Sequence, residues 1–114
     1  MSVRSFMDEY RAGTLLRDDG RRFHGGVLFT LASHRTWVTL CRIEALEAGH
    51  GDGGRALDWL CGLADKHSVI LSGCAEPFNS QFLNLERLLG FYERRGFVVT
   101  QAGDDPPYID RLPR

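Results

Sequence analysis

Three observations predict one α/β domain over residues 1–114. An alternating run from Thr36 to Leu46 passes through a connection with Gly49, Gly51, Gly53 and Gly54 into a run from Gly54 to His67, in which Leu57, Leu60, Cys61 and Ala64 fall on one helical face. An apolar strand follows, from Ser68 to about Ala75, and the order strand, helix, strand calls for a right-handed crossover with the two strands parallel. A second helical pattern, from Leu83 to Arg95, ends at Gly96 and leads into two short strands, Phe97 to Thr100 and Tyr108 to Leu112, which the turn at Gly103 to Pro107 would pair antiparallel.

The composition excludes several classes of protein. At 114 residues the chain can build one core but not the two mononucleotide-binding halves of a full dinucleotide fold. Apolar residues make up 43% and charged residues 25%, and the net charge of -1 gives no direct evidence for a nucleic-acid or membrane partner. Cys41, Cys61 and Cys74 lie in apolar runs without C-x-x-C spacing, so they are expected to be reduced core residues and not a disulfide framework or a metal site. The residues that open the sequence show no signal-peptide pattern and no run reaches membrane-spanning length, so a cytoplasmic location is expected, as monomer or homodimer.

In order along the chain, Phe6 and Tyr10 sit one turn apart in a short helix that Gly13 ends. Thr14 to Arg17 reads as a short strand and Asp18, Asp19 and Gly20 as a turn. Arg21, Arg22, Phe23 and His24 read as a basic-aromatic loop before Gly25 and Gly26, and residues 1–26 as a variable N-terminal part. Val27 to Ala32 is a buried strand, with the turn at His34 and Arg35. Strict alternation on the next strand puts Trp37, Cys41, Ile43 and Ala45 on one face and Val38, Leu40, Arg42, Glu44 and Leu46 on the other, so that charges share a face with apolar residues. Arg42 and Glu44 are either a surface ion pair or part of a cleft lining.

The glycine connection is the first candidate site. Glycines let backbone N–H groups approach a ligand, and the following helix offers free donors and the positive end of its dipole, which suits a phosphate-bearing cofactor. Arg55 in that first turn opposes the dipole unless an anion is near. Gly49, Gly51 and Gly54 also satisfy G-x-G-x-x-G, with Glu76 about 20 residues on as the ribose-binding acid of a nucleotide-binding regulatory domain.

The glycine loop and the later FYERRGF, Phe91 to Phe97, together resemble the GNAT superfamily of acetyl-coenzyme A-dependent N-acetyltransferases over roughly Val27 to Leu112. In that family a strand with a distorted end is followed by R/Q-x-x-G-x-G/A, a helix, a strand, a helix closing on F-Y-x-x-x-G-F, and a hairpin. The resemblance is to small, phage-type members, one type of which blocks a CRISPR nuclease by acetylating it. It implies a mostly antiparallel sheet of about six strands, with the parallel pair splayed around a cofactor cleft, flanking helices, and a cofactor-binding core over residues 27–112.

Aligning Gly54, Arg55, Ala56 and Leu57 on the motif's G-S-A-L tail puts Asp52 on the first motif glycine and Gly49 on the Arg or Gln. A shift of one puts Gly51 and Gly53 on the glycines and Ala48 on the Arg or Gln. The basic residue is missing in both registers, and His50 and Arg55 are its substitutes. The acceptor is then a primary amine, a protein lysine or a small molecule, and the co-substrate acetyl-CoA, with no metal. Tyr92 matches the family's general acid, and its phenol, with an ordinary pKa near 10, suits a departing thiolate. Glu44 is the candidate base through water, backbone N–H groups from Ile43 to Ala45 would hold the pantetheine arm and polarise the carbonyl, and Asn79 would touch the cofactor. The alternative is a catalytically degenerate module of the same fold that binds CoA or a partner.

Overall fold

A computed structural model describes residues 2–47, 51–74, 85–100 and 107–114. Helix α1 (Val3–Ala12) starts where the Ser2 hydroxyl accepts the Ser5 N–H at 2.9 Å, and it buries Phe6, Met7 and Tyr10 on one side. Strands β1 (Leu15–Leu16), β2 (Arg22–His24), β3 (Val27–Ser33) and β4 (Trp37–Ala45) follow as antiparallel neighbours. Helix α2 (Asp52–His67) crosses back to β5 (Ile70–Cys74), and α3 (Leu85–Glu93) precedes the hairpin of β6 (Val98–Thr100) and β7 (Tyr108–Arg111).

The sheet has seven strands in the order β1-β2-β3-β4-β5-β7-β6. Among the described residues β4 and β5 form its one parallel pair, as the crossover requires. A dinucleotide fold needs a mostly parallel sheet, so this topology removes the support for reading Gly49, Gly51 and Gly54 as a dinucleotide fingerprint. Val38, Leu40, Leu71 and Ile109 point into one core with Phe6, Leu57, Leu60, Leu88 and Phe97 from the helices and the chain after α3. Thr39, Ser72 and Asp110 alternate with them and project from the other face of the sheet.

The FYERRGF ending has a physical explanation. Gly96 takes φ +91, its N–H donates to the Glu93 carbonyl at 3.0 Å, and the Phe97 N–H reaches back to the Tyr92 carbonyl at 3.3 Å. These are the two hydrogen bonds of a Schellman cap, and the apolar contact that accompanies such a cap is the edge-on pair of Tyr92 and Phe97, with ring centroids 5.2 Å apart. The motif therefore fixes the exit angle from α3 and the packing of Tyr92 at once.

Three sequence expectations are corrected. Arg21 to His24 is not a loop, because Arg22–His24 pairs with β3 as β2, which brings the expected six strands to seven. Gly25 and Gly26, with φ +57 and +83, make the two-residue turn whose twist suits a hairpin. The strict alternation on β4 fails because the β3–β4 register shifts: Thr30 faces Arg42 but Leu31 faces Leu40, so Cys41 is an extra residue in a bulge. Val38 and Leu40 before it, and Ile43 and Ala45 after it, therefore all pack toward the core, while Arg42 and Glu44 lie on the opposite face as an ion pair 3.5 Å apart. Cys61 is buried as expected, but Cys41 and Cys74 are exposed: the bulge turns Cys41 outward, and Cys74 stands one position past inward-facing Gly73.

Candidate functional site

The site lies where the described pairing of the parallel strands ends. β4 and β5 pair from Trp37↔Ile70 to Leu40↔Gly73, and no pairing beyond that is present among the described residues, although β4 runs on to Ala45 beside β3. The bulge at Cys41 falls at this point and bends β4. Gly73 makes the close approach before the opening possible, since a Cβ there would lie 2.7 Å from the Leu40 carbonyl oxygen. A cleft of about 540 Å³ results, floored by Leu40 and Gly73 and lined by Thr39, Cys41, Ser72, Cys74, Tyr108 and Asp110. Both parallel strands end on this side, and α2 begins after the connection that leaves β4.

The start of α2 is built on glycines. Gly51 is in the left-handed region at φ +74, and among the described residues no side chain caps the start of the helix. A Cβ on Gly53 would meet nothing within 4 Å, so that face of the first turn is open. The Arg55 guanidinium, 68% exposed, pairs with the Asp52 carboxylate, which supplies an anion beside the dipole's positive end. Gly54 has a packing role, because the Arg95 guanidinium lies 2.7 Å from where its Cβ would be. Arg95 arrives from the end of α3, stacks over the Phe91 ring at 4.4 Å and donates to the Phe91 carbonyl at 2.8 Å. Its Nε is 2.9 Å from Asp58 Oδ1 but off the N–H direction, so this is an ion contact without a hydrogen bond.

Tyr92 is 3% exposed, and burial pushes its phenol up to about 12. The group is thus held protonated at neutral pH, as a proton donor must be, and it packs between Phe91 and Phe97 without being part of the described cleft lining. Glu44 is half-buried and engaged by Arg21 at 3.1 Å and Arg42 at 3.5 Å. A base role there requires water to enter this ion network. Gly49, His50, Asn79 and Glu76 lie outside the described residues, and so does Ala48. The structure thus places Gly51, Asp52, Gly53, Gly54 and Arg55 together at the start of α2, Ile43 and Ala45 on the bulged strand, and Tyr92 on α3 with its side chain in the core.

Sequence reasoning missed Arg95 and the outward residues Thr39, Ser72, Tyr108 and Asp110. In the sequence Arg95 is a cation just before the Gly96 stop, but only packing carries it to Gly54. The other four come from three strands far apart in the chain, and the alternation of each strand was the available signal. Among the described residues no group of three His, Cys, Asp or Glu side chains could hold a metal, and no helix is long and apolar enough to cross a membrane.

A mixed, mostly antiparallel sheet with one parallel pair, a bulge in β4 where the described pairing ends, and a crossover helix with a glycine start give a GNAT-like α/β fold. The crystal structure of the anti-CRISPR protein AcrVA5 has the same fold: the two align with a TM-score of 0.64 over 86% of this chain and 97% of that one, at 17% sequence identity. No family model matches the sequence, and no curated protein matches it.

Proposed function

We propose that this protein is an acetyl-CoA-dependent N-acetyltransferase acting on primary amines. The observation that carries the reading is the cleft at the end of the described β4–β5 pairing, Leu40 and Gly73, on a sheet whose crossover helix starts on glycines. The residues present suit the co-substrate at two points. Amides of the first turn of α2, with Arg55 and Arg95 over it, would hold the pyrophosphate, and the cleft beyond the bulge would take the thioester end. Acetyl-CoA would supply an acetyl group activated as a thioester. An acceptor ammonium and this thioester give the amide, free thiol and one proton, so the protein has to bring the amine to its neutral form and provide a proton for the sulfur.

Tyr92 holds that second proton at its Oη, and its burial keeps water from competing for it. Backbone N–H groups of the bulged segment at Ile43 to Ala45 would stabilise negative charge on the carbonyl oxygen. Gly49, His50 and Asn79 keep their roles at the pyrophosphate and cofactor as part of this proposal. The engagement of Glu44 by two guanidiniums favours a second reading, a module of this fold that binds CoA without turnover. The test is acetyl transfer from acetyl-CoA to lysine peptides and small diamines, followed by mass spectrometry of the acceptor. Acetylated acceptor, absent without the protein, supports the enzyme; tight CoA binding with no product on any acceptor supports the module.

Arg55→Ala is expected to weaken acetyl-CoA binding by about fivefold to tenfold, because it removes an exposed cation and leaves Asp52 uncompensated at the helix start. Binding of acetyl-pantetheine, which lacks the pyrophosphate, should not change. Equal loss for both ligands would assign Arg55 to helix stability.

A further inference from the structure

We propose that Asp110 is the acceptor-side carboxylate, taking the ammonium of a cationic primary amine on the outer face of the cleft. The inference rests on the acetyltransferase reading and names its acceptor subsite. Asp110 is the carboxylate in the described cleft lining. Among the described residues no side chain pairs with Asp110, as with Asp18, Glu86 and Glu93, but of these four only Asp110 lines the cleft. It is exposed on β7, opposite Ser72 of β5 and Val98 of β6.

The surroundings fit an ammonium on an aliphatic stem. Tyr108 is two residues along the same face and 47% exposed, so a phenol ring flanks the carboxylate, and Val98 is exposed on the other side. Across the cleft the Ser72 and Thr39 hydroxyls are 3.4 Å apart, and Thr39 Oγ1 is 3.0 Å from His34 Nε2. This polar row runs from Ser72, the register partner of Asp110, to the exposed β3–β4 turn, where the proton that the ammonium must lose before it attacks passes to solvent. Asp110 is a positioning residue for the amine; Glu44, already held by Arg21 and Arg42, is not needed for that task.

The test compares wild type with Asp110→Asn and Asp110→Glu, using Nα-acetyl-lysine amide, its neutral norleucine isostere, and a free diamine. Asp110→Asn should raise the KM for the lysine amide about tenfold or more and leave acetyl-CoA affinity within about twofold, and Asp110→Glu should restore part of the loss. Calorimetry with the lysine amide alone gives a readout independent of turnover: wild type should bind it more tightly than the norleucine isostere, and Asp110→Asn should erase the difference. A matching effect with the diamine would assign the subsite to any primary ammonium, and an effect confined to the lysine amide would assign it to lysine side chains. Unchanged KM and unchanged amine binding in Asp110→Asn would overturn the proposal while leaving the transferase reading intact. Absence of acetyl-CoA binding in wild type would instead count against the transferase reading.

Discussion

Tyr92→Phe is expected to lower the rate of acetyl transfer by about 10²–10⁴-fold with little change in acetyl-CoA affinity. The substitution removes one hydroxyl and keeps the ring that closes the Schellman cap against Phe97, so α3 should still end at Gly96. With its pKa pushed up to about 12, the phenol is a weaker acid than an exposed tyrosine. Single-turnover kinetics, in which chemistry limits the signal, should show the loss. A rate within about twofold of wild type would make Tyr92 a packing residue only.

The second large effect concerns stability. Arg111, 3% exposed on β7, makes two hydrogen bonds to Asp65 of α2, at 2.8 and 3.0 Å, and a third to the Arg95 carbonyl at 2.7 Å. One side chain thus ties the hairpin to the crossover helix and to the end of α3. Removing one partner of a buried pair typically costs about 3–5 kcal/mol, and Asp65 retains 28% side-chain exposure, so Arg111→Ala should fall near the lower end. For a chain of this size the expected fall in Tm is on the order of 10 °C.

The pair also has a pH signature. The Arg111 guanidinium, helped by the Arg114 N–H, holds the Asp65 carboxyl below the usual carboxylate range. A depressed folded-state pKa means that this stabilisation is complete above the ordinary Asp value of about 3.9 and is lost as pH falls through the folded-state value. Denaturant midpoints of wild type and Arg111→Ala should therefore lie far apart at neutral pH and converge in acid. A gap independent of pH would mean that Arg111 acts through packing alone.

The order of the elements was legible in the sequence because each part of it has a local cause. The apolar stripe of α2 and the Gly96 cap are each decided by residues within a few positions of one another, and the parallel crossover follows from the order strand, helix, strand. Gly25 and Gly26 were an equally local signal, but the charges of Arg21 and Arg22 hid the strand at Arg22–His24; in the structure the Arg21 side chain just before it finds Asp19 and Glu44. The bulge at Cys41 was not legible, since a register shift is a relation between two strands, and without it Ile43 and Glu44 fall on the wrong faces. The site was legible to the same extent. Gly51 to Arg55 and Tyr92 belong to contiguous motifs, whereas Arg95 over Gly54, and Asp110 opposite Ser72, come together only through packing and sheet order.

The central claim is that the opening between β4 and β5, with the start of α2, is built for acetyl-CoA. Titration calorimetry of the wild-type chain with acetyl-CoA tests it most directly, with acetyl-pantetheine as the second ligand. The expected result is one site per chain with a dissociation constant in the roughly micromolar range common for enzyme substrates, and clearly weaker binding of acetyl-pantetheine. No binding of acetyl-CoA by folded protein, or equal binding of the two ligands, would contradict the account.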